Sequence, residues 1–66
     1  MNYGENLKYQ REKKGLNITE LAKALNTSHQ NISRWESGAV IPSIDFCVKL
    51  ANFYGISLDE LVGRDD

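Results

Sequence analysis

Apolar residues recur at helical spacing between residues 18 and 37. The first set follows the i, i+3, i+4 and i+7 spacing of one face of an amphipathic helix: Ile18, Leu21, Ala22 and Leu25. Further along, Ile32 and Trp35 share one side of a second helix, residues 29–37. The pattern predicts two helices in close succession whose apolar faces point to one core.

Polar residues and a glycine mark where these two helices begin and end. Asn17 can cap the first helix, and Glu20, three residues on, can close a capping box. Asn26 tolerates the left-handed conformation that a tight turn requires. Ser28 can cap the second helix, and Gly38 stands where its end is expected. The segment is therefore predicted to be two helices joined by a tight turn.

The remaining segments predict three more short helices. Residues 2–14 form the first, Ser43 caps the fourth, and Ser57 caps a last short one. The fourth helix is predicted to turn inward a face made of Ile44, Cys47, Val48, Leu50, Ala51 and Tyr54. The last helix is predicted to pack through Leu58, Leu61 and Val62. Residues 63–66 are expected to fray. Five short helices around one small core leave no room for strands.

Two phenylalanines on the fourth helix have no place in that inward face. Phe46 and Phe53 lie seven residues apart and share a stripe about 180° from Ile44. Exposed apolar patches usually mark contacts. In one interpretation the N-terminal residues or the last helix cover one of the rings. In the other, a two-fold dimer buries Phe46, Phe53 and Val40.

The second helix is polar on the side opposite Ile32 and Trp35. That side carries His29, Gln30, Ser33, Arg34 and Ser37. Glutamine and arginine can each make two parallel hydrogen bonds to a base edge, glutamine to adenine and arginine to guanine. These residue types favour a surface that reads bases in the major groove. The alternative is the solvated face of a surface helix.

The net charge of −1 is unfavourable for a DNA-binding protein, but the charges are unevenly distributed. Residues 1–36 carry six basic and four acidic side chains, whereas residues 37–66 carry two basic and five acidic ones. An acidic far side can orient a molecule on a polyanion.

Composition excludes several other classes of protein. A chain of 66 residues makes one domain. One cysteine and one histidine allow neither an internal disulfide nor a cysteine-based zinc site. No glycine-rich phosphate loop or catalytic arrangement of Ser, His and Asp is visible, so we expect no enzyme, no cofactor and no metal. No apolar run approaches the roughly 18 residues that span a membrane. With no secretory leader either, the protein is expected in the cytoplasm.

Short motifs follow one another in a fixed order along nearly the whole chain. They read Arg11-x-x-x-Gly15-Leu16, Leu21-Ala22-x-x-Leu25, Ser28-x-x-x-Ile32-Ser33-Arg34-Trp35-Glu36-x-Gly38, Pro42-Ser43 and Gly55-Ile56-Ser57-Leu58-Asp59-Glu60-Leu61. On these residues the chain resembles the helix-turn-helix regulators of the phage repressor and Cro type, also called the xenobiotic-response-element family. The resemblance implies an all-α, compact five-helix domain of the lambda-repressor-like type. That domain would span residues 1–66, with its helix-turn-helix core at 18–37.

The resemblance also implies a function, the sequence-specific binding of double-stranded DNA by a transcriptional regulator of the repressor type. The helix at 29–37 would enter the major groove with four base-facing residues: His29, Gln30, Ser33 and Arg34. Asn31 would contact the sugar-phosphate backbone. Asn17 is a second phosphate candidate, because free N–H groups at a helix N-terminus favour an anion.

The resemblance carries further expectations about assembly and about one ion pair. Paired half-sites lie one helical turn, about 34 Å, apart, so a homodimer on an inverted-repeat operator is expected. Such a protein would be prokaryotic or phage-encoded, and nucleoid-associated when bound. Arg11 and Glu36 would form a structural ion pair that holds the recognition helix against the first helix.

Two departures from the family pattern lower the expected affinity for DNA. Ile18 stands where the family usually has a phosphate-contacting glutamine, and Ala39, Val40 and Ile41 stand where it often has a basic residue. The weak basic character and the hydrophobic loop at residues 39–41 favour an alternative, a protein-binding module such as an antitoxin with a protein partner and only secondary DNA binding. The polar face with Gln30 and Arg34 favours DNA.

Overall fold

The computed structural model describes residues 2–63, so three of the four residues expected to fray, 64–66, lie outside this range. The described chain is all α-helix and turn. Its five helices are α1 Tyr3–Lys13, α2 Ile18–Leu25, α3 His29–Ser37, α4 Ile44–Tyr54 and α5 Leu58–Val62. This arrangement confirms the predicted five-helix fold. No helix within residues 2–63 is long and apolar enough to cross a membrane.

Side-chain hydrogen bonds cap the starts of α2 and α3, and a left-handed residue ends α2, as the sequence predicts. The Asn17 side chain accepts from the Glu20 N–H at 2.8 Å, and the Glu20 carboxylate accepts from the Asn17 N–H at 2.9 Å, which completes the capping box. The Ser28 hydroxyl accepts from the Asn31 N–H at 3.1 Å at the start of α3. Asn26 takes the left-handed conformation, with φ 56° and ψ 50°, in the turn between α2 and α3.

One core joins all five helices. Its most deeply buried large side chains come from four of them: Leu21, Ile32, Leu50 and Leu61. Leu7 of α1 and Trp35 of α3 complete the centre, and smaller residues of α2 and α4 fill the space between. The predicted apolar face of α2 is largely confirmed, because Leu21, Ala22 and Leu25 are buried and Ile18 is half-buried.

The predicted inward face of α4 is only partly correct. Leu50 and Ala51 are buried, and Cys47 and Tyr54 pack against the core, as predicted. Ile44 is 70% exposed and Val48 42% exposed, while the rings expected outside, Phe46 and Phe53, are half-buried against the core. The Phe46 ring packs on Trp35 with a centroid separation of 5.0 Å.

The polar residues Asp45, Lys49 and Asn52 share one stripe of α4, but apolar residues cover more than half of its circumference, so the helical period does not decide which apolar flank is buried. The two phenylalanine rings lie on the buried flank beside Leu50, and Ile44 and Val48 lie on the exposed flank.

The packing assigned to α5 is also only partly correct. Leu61 is buried, but Leu58 and Val62 are each 42% exposed. The sequence pattern also missed a buried polar residue, Asn6, whose side-chain amide donates to the backbone carbonyls of Glu60 and Leu61. Asn6 therefore ties α1 to the end of α5.

Candidate nucleic-acid interface

Helix α3 has two opposite faces with different environments. Ile32 and Trp35 are buried in the core, which fixes the rotation of the helix about its axis. The other face is exposed along its length and carries the four predicted base-facing residues: His29, Gln30, Ser33 and Arg34. We call this set the reading row. Because the row stands on a helix that is anchored from behind, its side chains project together from a rigid support.

Helix α1 holds α3 in place through a two-pronged ion pair. The Arg11 Nε–H donates to Glu36 Oε2 at 2.7 Å, and the Arg11 Nη2–H donates to Glu36 Oε1 at 3.0 Å. The side chains are only 10% and 8% exposed. The remaining Arg11 nitrogen donates to the Leu16 carbonyl at 2.9 Å, which secures the link to α2. The hydrogen bond to Glu36 raises the pKa of Arg11, so the guanidinium stays charged.

The first turn of α1 contacts the end of α3 at close range. A Cβ atom placed on Gly4 would lie 2.6 Å from the Glu36 carbonyl oxygen and 3.0 Å from the Trp35 carbonyl oxygen. Only glycine fits this approach. The Tyr3 hydroxyl donates to the Gly38 carbonyl at 3.0 Å and so secures the residue that ends α3. Sequence reasoning missed both contacts, although a glycine inside a predicted helix was a signal.

The two candidate phosphate residues lie on either side of the turn. Asn17 is exposed, and its side-chain oxygen is used in the capping box, which leaves its amide nitrogen without an acceptor in residues 2–63. Asn31 is half-buried at the edge of the reading row, where its amide nitrogen donates to the Thr27 hydroxyl at 2.9 Å. Both amides retain N–H groups that can donate to an anion.

A cleft of about 260 Å³ opens beside the reading row. We call it the α1–α3 cleft, and its walls are Lys8, Arg11, Ile18, Ser33, Glu36 and Ser37. The Arg11–Glu36 pair lines the cleft, and Ser33 belongs to both the cleft and the reading row. Sequence reasoning did not single out Lys8. Only the packing of α1 across α3 brings it to this position.

The three residues expected in a dimer contact, Phe46, Phe53 and Val40, differ in their exposure to solvent. Phe46 and Phe53 are half-buried, so the reason for assigning them to an outer stripe no longer holds. Lysine side chains also lie over both rings, with Lys49 Nζ 5.1 Å from the Phe46 centroid and Lys14 Nζ 5.3 Å from that of Phe53. Val40 is 47% exposed, next to Ile41 at 70%. The apolar surface therefore lies on the loop after α3 and the outer side of α4.

Two further titratable groups lie away from the reading row. The Tyr54 hydroxyl is buried without a hydrogen-bond partner in residues 2–63, and burial raises its pKa. Burial also raises the pKa of the half-buried Cys47 thiol, which lies 3.6 Å from the Pro42 carbonyl. Both groups stay protonated near neutral pH.

The chain is similar in sequence to a known protein family and to named transcriptional regulators. Residues 7–61 match the model of a family described as helix-turn-helix. The HTH-type transcriptional regulator ImmR of Bacillus subtilis is 38% identical over 66 residues, which is all of this chain and 52% of ImmR. The chain thus spans about half the length of that relative. An uncharacterised HTH-type transcriptional regulator of Methanocaldococcus jannaschii is 35% identical over 60 residues, 91% of each chain.

A solved structure resembles the whole described fold. It is the P22 c2 repressor in complex with the synthetic operator 9T, with a TM-score of 0.90 and 26% sequence identity. The match covers 98% of this chain and 98% of the repressor chain.

Proposed function

The chain belongs to the helix-turn-helix family, and we propose that it binds double-stranded DNA through α3 as a transcriptional regulator of the repressor type. The observation that carries this proposal is the exposed reading row on a helix whose opposite face is buried. B-DNA's major groove admits an α-helix, and the row offers side chains suited to base edges. The likeness to a repressor–operator complex supports the same use of the fold. The relatives are named as regulators, which does not favour the protein-binding alternative.

Within this proposal the row residues have different tasks. Gln30 and Arg34 read bases, because each can make two parallel hydrogen bonds to one base edge. His29 and Ser33 add shorter contacts to neighbouring bases. Asn17 and Asn31 donate to backbone phosphates, which positions α3 without adding sequence preference. The protein would act in the cytoplasm, on the nucleoid.

We predict that Arg34→Ala and Gln30→Ala each weaken binding to the preferred site by about 1–3 kcal/mol. Each loss should relax the preference at one base pair of a half-site, because the substitution removes one bidentate contact. The preferred site is first obtained by selection of wild-type-bound fragments from random duplex DNA at low salt. Titration of the selected duplex and a shuffled duplex then measures the specificity ratio.

Asn31→Ala is the matched control on the same helix. It should weaken binding to both duplexes by similar factors, since a phosphate contact carries no sequence information. If Arg34→Ala and Gln30→Ala leave the specificity ratio at its wild-type value, the reading row is assigned to the wrong residues.

The proposed regulator acts as a homodimer on an inverted repeat. The support is a group of exposed apolar side chains around the loop after α3: Val40, Ile41, Ile44 and Val48. Both isoleucines are 70% exposed, an unusual state for residues that normally lie in a core. A two-fold contact through this surface would bury them and set the spacing of two reading rows.

We predict that Ile41→Ser/Ile44→Ser weakens self-association by at least about 100-fold, since full burial of each side chain is worth about 1.5–3 kcal/mol and about 1.4 kcal/mol is a factor of ten. Sedimentation equilibrium at high micromolar concentration measures the change. The control is Tyr9→Ser, which changes an exposed apolar side chain on a different helix, α1. It should leave the dimer intact. A wild-type protein that is monomeric both alone and on an inverted repeat contradicts the proposal.

A further inference from the structure

A cavity of about 270 Å³ lies where α1, the loop after α3, α4 and α5 meet. We call it the α1–α5 cavity. The buried side chains of Leu7 and Leu61 form its floor, and the exposed side chains of Ile41 and Val62 form its rim. Its remaining walls are Tyr3, Pro42 and Cys47. The cavity therefore reaches the core on one side and opens to solvent on the other.

The walls of the α1–α5 cavity are apolar, and the two polar groups among them are already engaged. The Tyr3 hydroxyl donates to the Gly38 carbonyl at 3.0 Å, and the Cys47 thiol donates to the Pro42 carbonyl at 3.6 Å. No lining side chain is charged. A buried water needs about two to four polar partners, so water is held poorly in such a space. A ligand that suits the cavity is therefore neutral and has no hydrogen-bonding group.

Contacts outside the α1–α5 cavity hold its walls apart. Asn6 ties α1 to the end of α5 by donating to two backbone carbonyls. The hydrogen bond from Tyr3 to Gly38 fixes the Tyr3 side chain to the end of α3. Pro42 restricts the backbone of the loop. Since protein interiors are closely packed and unfilled apolar space costs stability, a preformed space of this size suits an apolar occupant.

The position of the α1–α5 cavity favours a small molecule over a second copy of the chain. Of the four side chains proposed for the dimer contact, only Ile41 lines it. The other three, Val40, Ile44 and Val48, are not among the lining residues. The floor belongs to α1 and α5, so a copy seated on the dimer surface would not be centred on this cavity.

The size and the lining of the α1–α5 cavity indicate the kind of molecule that fits. An apolar cavity of about 150 Å³ lined by aliphatic and aromatic side chains binds benzene, a single ring. The larger space here has room for a second ring. The Tyr3 ring and the polarisable Cys47 sulfur both make favourable contacts with aromatic rings.

We propose that the α1–α5 cavity binds one small, neutral aromatic molecule of about two fused rings. The ligand packs on Leu7 and Leu61 at the floor, and the exposed side chains of Ile41 and Val62 lie against its outer edge. This site is separate from the reading row and does not depend on the proposed DNA binding.

The test uses naphthalene, a neutral hydrocarbon of two fused rings, as the probe. Titration into the wild-type protein is followed by two-dimensional ¹H–¹³C NMR of the methyl groups. We expect dose-dependent shifts of the Leu7 and Leu61 signals, with a dissociation constant on the order of 0.1 mM. The methyl signals of Leu25, a core residue that does not line the cavity, should stay in place. Quinoline has the same shape but carries a ring nitrogen that finds no donor, so it should bind roughly tenfold more weakly.

Two tryptophan variants of α5 locate the site. Val62 and Leu58 are each 42% exposed, but only Val62 lines the α1–α5 cavity. Val62→Trp should fill the cavity and weaken naphthalene binding by at least about tenfold, whereas the matched control Leu58→Trp should change it by less than about twofold. Ile41→Trp fills the cavity from the other rim residue and replaces Val62→Trp if that variant does not fold. Circular dichroism checks the fold of each variant.

Three results would overturn the inference. The first is a naphthalene titration that leaves the Leu7 and Leu61 signals unmoved. The second is equal affinity of the wild type and the cavity-filling variant, since the probe would then bind elsewhere. The third is an affinity that falls as the protein passes from monomer to dimer in sedimentation, which would assign the cavity to a second copy. None of these results bears on DNA binding, which is measured separately on the selected duplex.

Discussion

Arg11→Ala and Glu36→Ala are each expected to lower the free energy of unfolding by about 3–5 kcal/mol. Each substitution leaves a charge unpaired in a place where the two side chains are only 10% and 8% exposed. A buried charge without a partner loses its hydration and gains nothing in return. In a domain this small the loss is a large share of the whole stability. Urea unfolding at neutral pH, followed by circular dichroism, measures it.

The double variant separates the pair interaction from the effects of truncation. Arg11→Ala/Glu36→Ala removes both charges and should lose much less than the sum of the two single losses. Lys13→Ala, which removes an exposed charge from the same helix, is the control and should change stability by no more than about 0.5 kcal/mol. A coupling energy near zero would show that the pair contributes nothing beyond its separate side chains. Glu36→Gln provides a folded comparison if the alanine variants do not fold.

Gly4→Ala is expected to destabilise the protein by about 3 kcal/mol or more, at the upper end of what overpacking costs. In an ordinary helix the same change stabilises by about 1 kcal/mol, so the expected sign is reversed. The reason is steric, since the new methyl group would lie 2.6 Å from the Glu36 carbonyl oxygen. The contacted atoms belong to the backbone and cannot rotate away. Helix α1 would have to move off α3, which would loosen Tyr3 and Arg11 as well.

Gly15→Ala is the matched control for this substitution. Gly15 has a φ of +75°, but a Cβ there would meet nothing within 4 Å. It should therefore cost only the strain of a left-handed residue, about 1–2 kcal/mol. Thermal and urea unfolding of the two variants gives the comparison. If Gly4→Ala is as stable as the wild type, α1 and α3 are not packed as closely as the structure indicates.

Local chemistry made much of the fold predictable from the sequence. The capping of α2 by Asn17 and the left-handed turn at Asn26 depend on residues within three or four positions of each other. Such contacts can be read from spacing, because a helix brings those positions together whatever surrounds it. The same holds for the composition of the reading row, since Ile32 and Trp35 determine which side of α3 is left for solvent.

Long-range packing decided the features that spacing could not. The choice of the buried flank of α4 depended on where the Phe46 ring could meet Trp35, since apolar residues cover more than half of the helix circumference. The sequence alone consequently placed Phe46 outside and Ile44 inside, the reverse of the structure. The buried Asn6 likewise depends on carbonyl groups more than fifty residues away.

The sequence by itself determined the helices, their ends and the side chains that α3 presents to solvent, because those follow from contacts within one or two helical turns. Tertiary structure alone decided the close approach at Gly4, the outward turn of Ile44 and the place of Lys8 beside Ser33. Each of these depends on the distance and rotation between two helices. That geometry is set by the fit of side chains across the core, which no single helix contains.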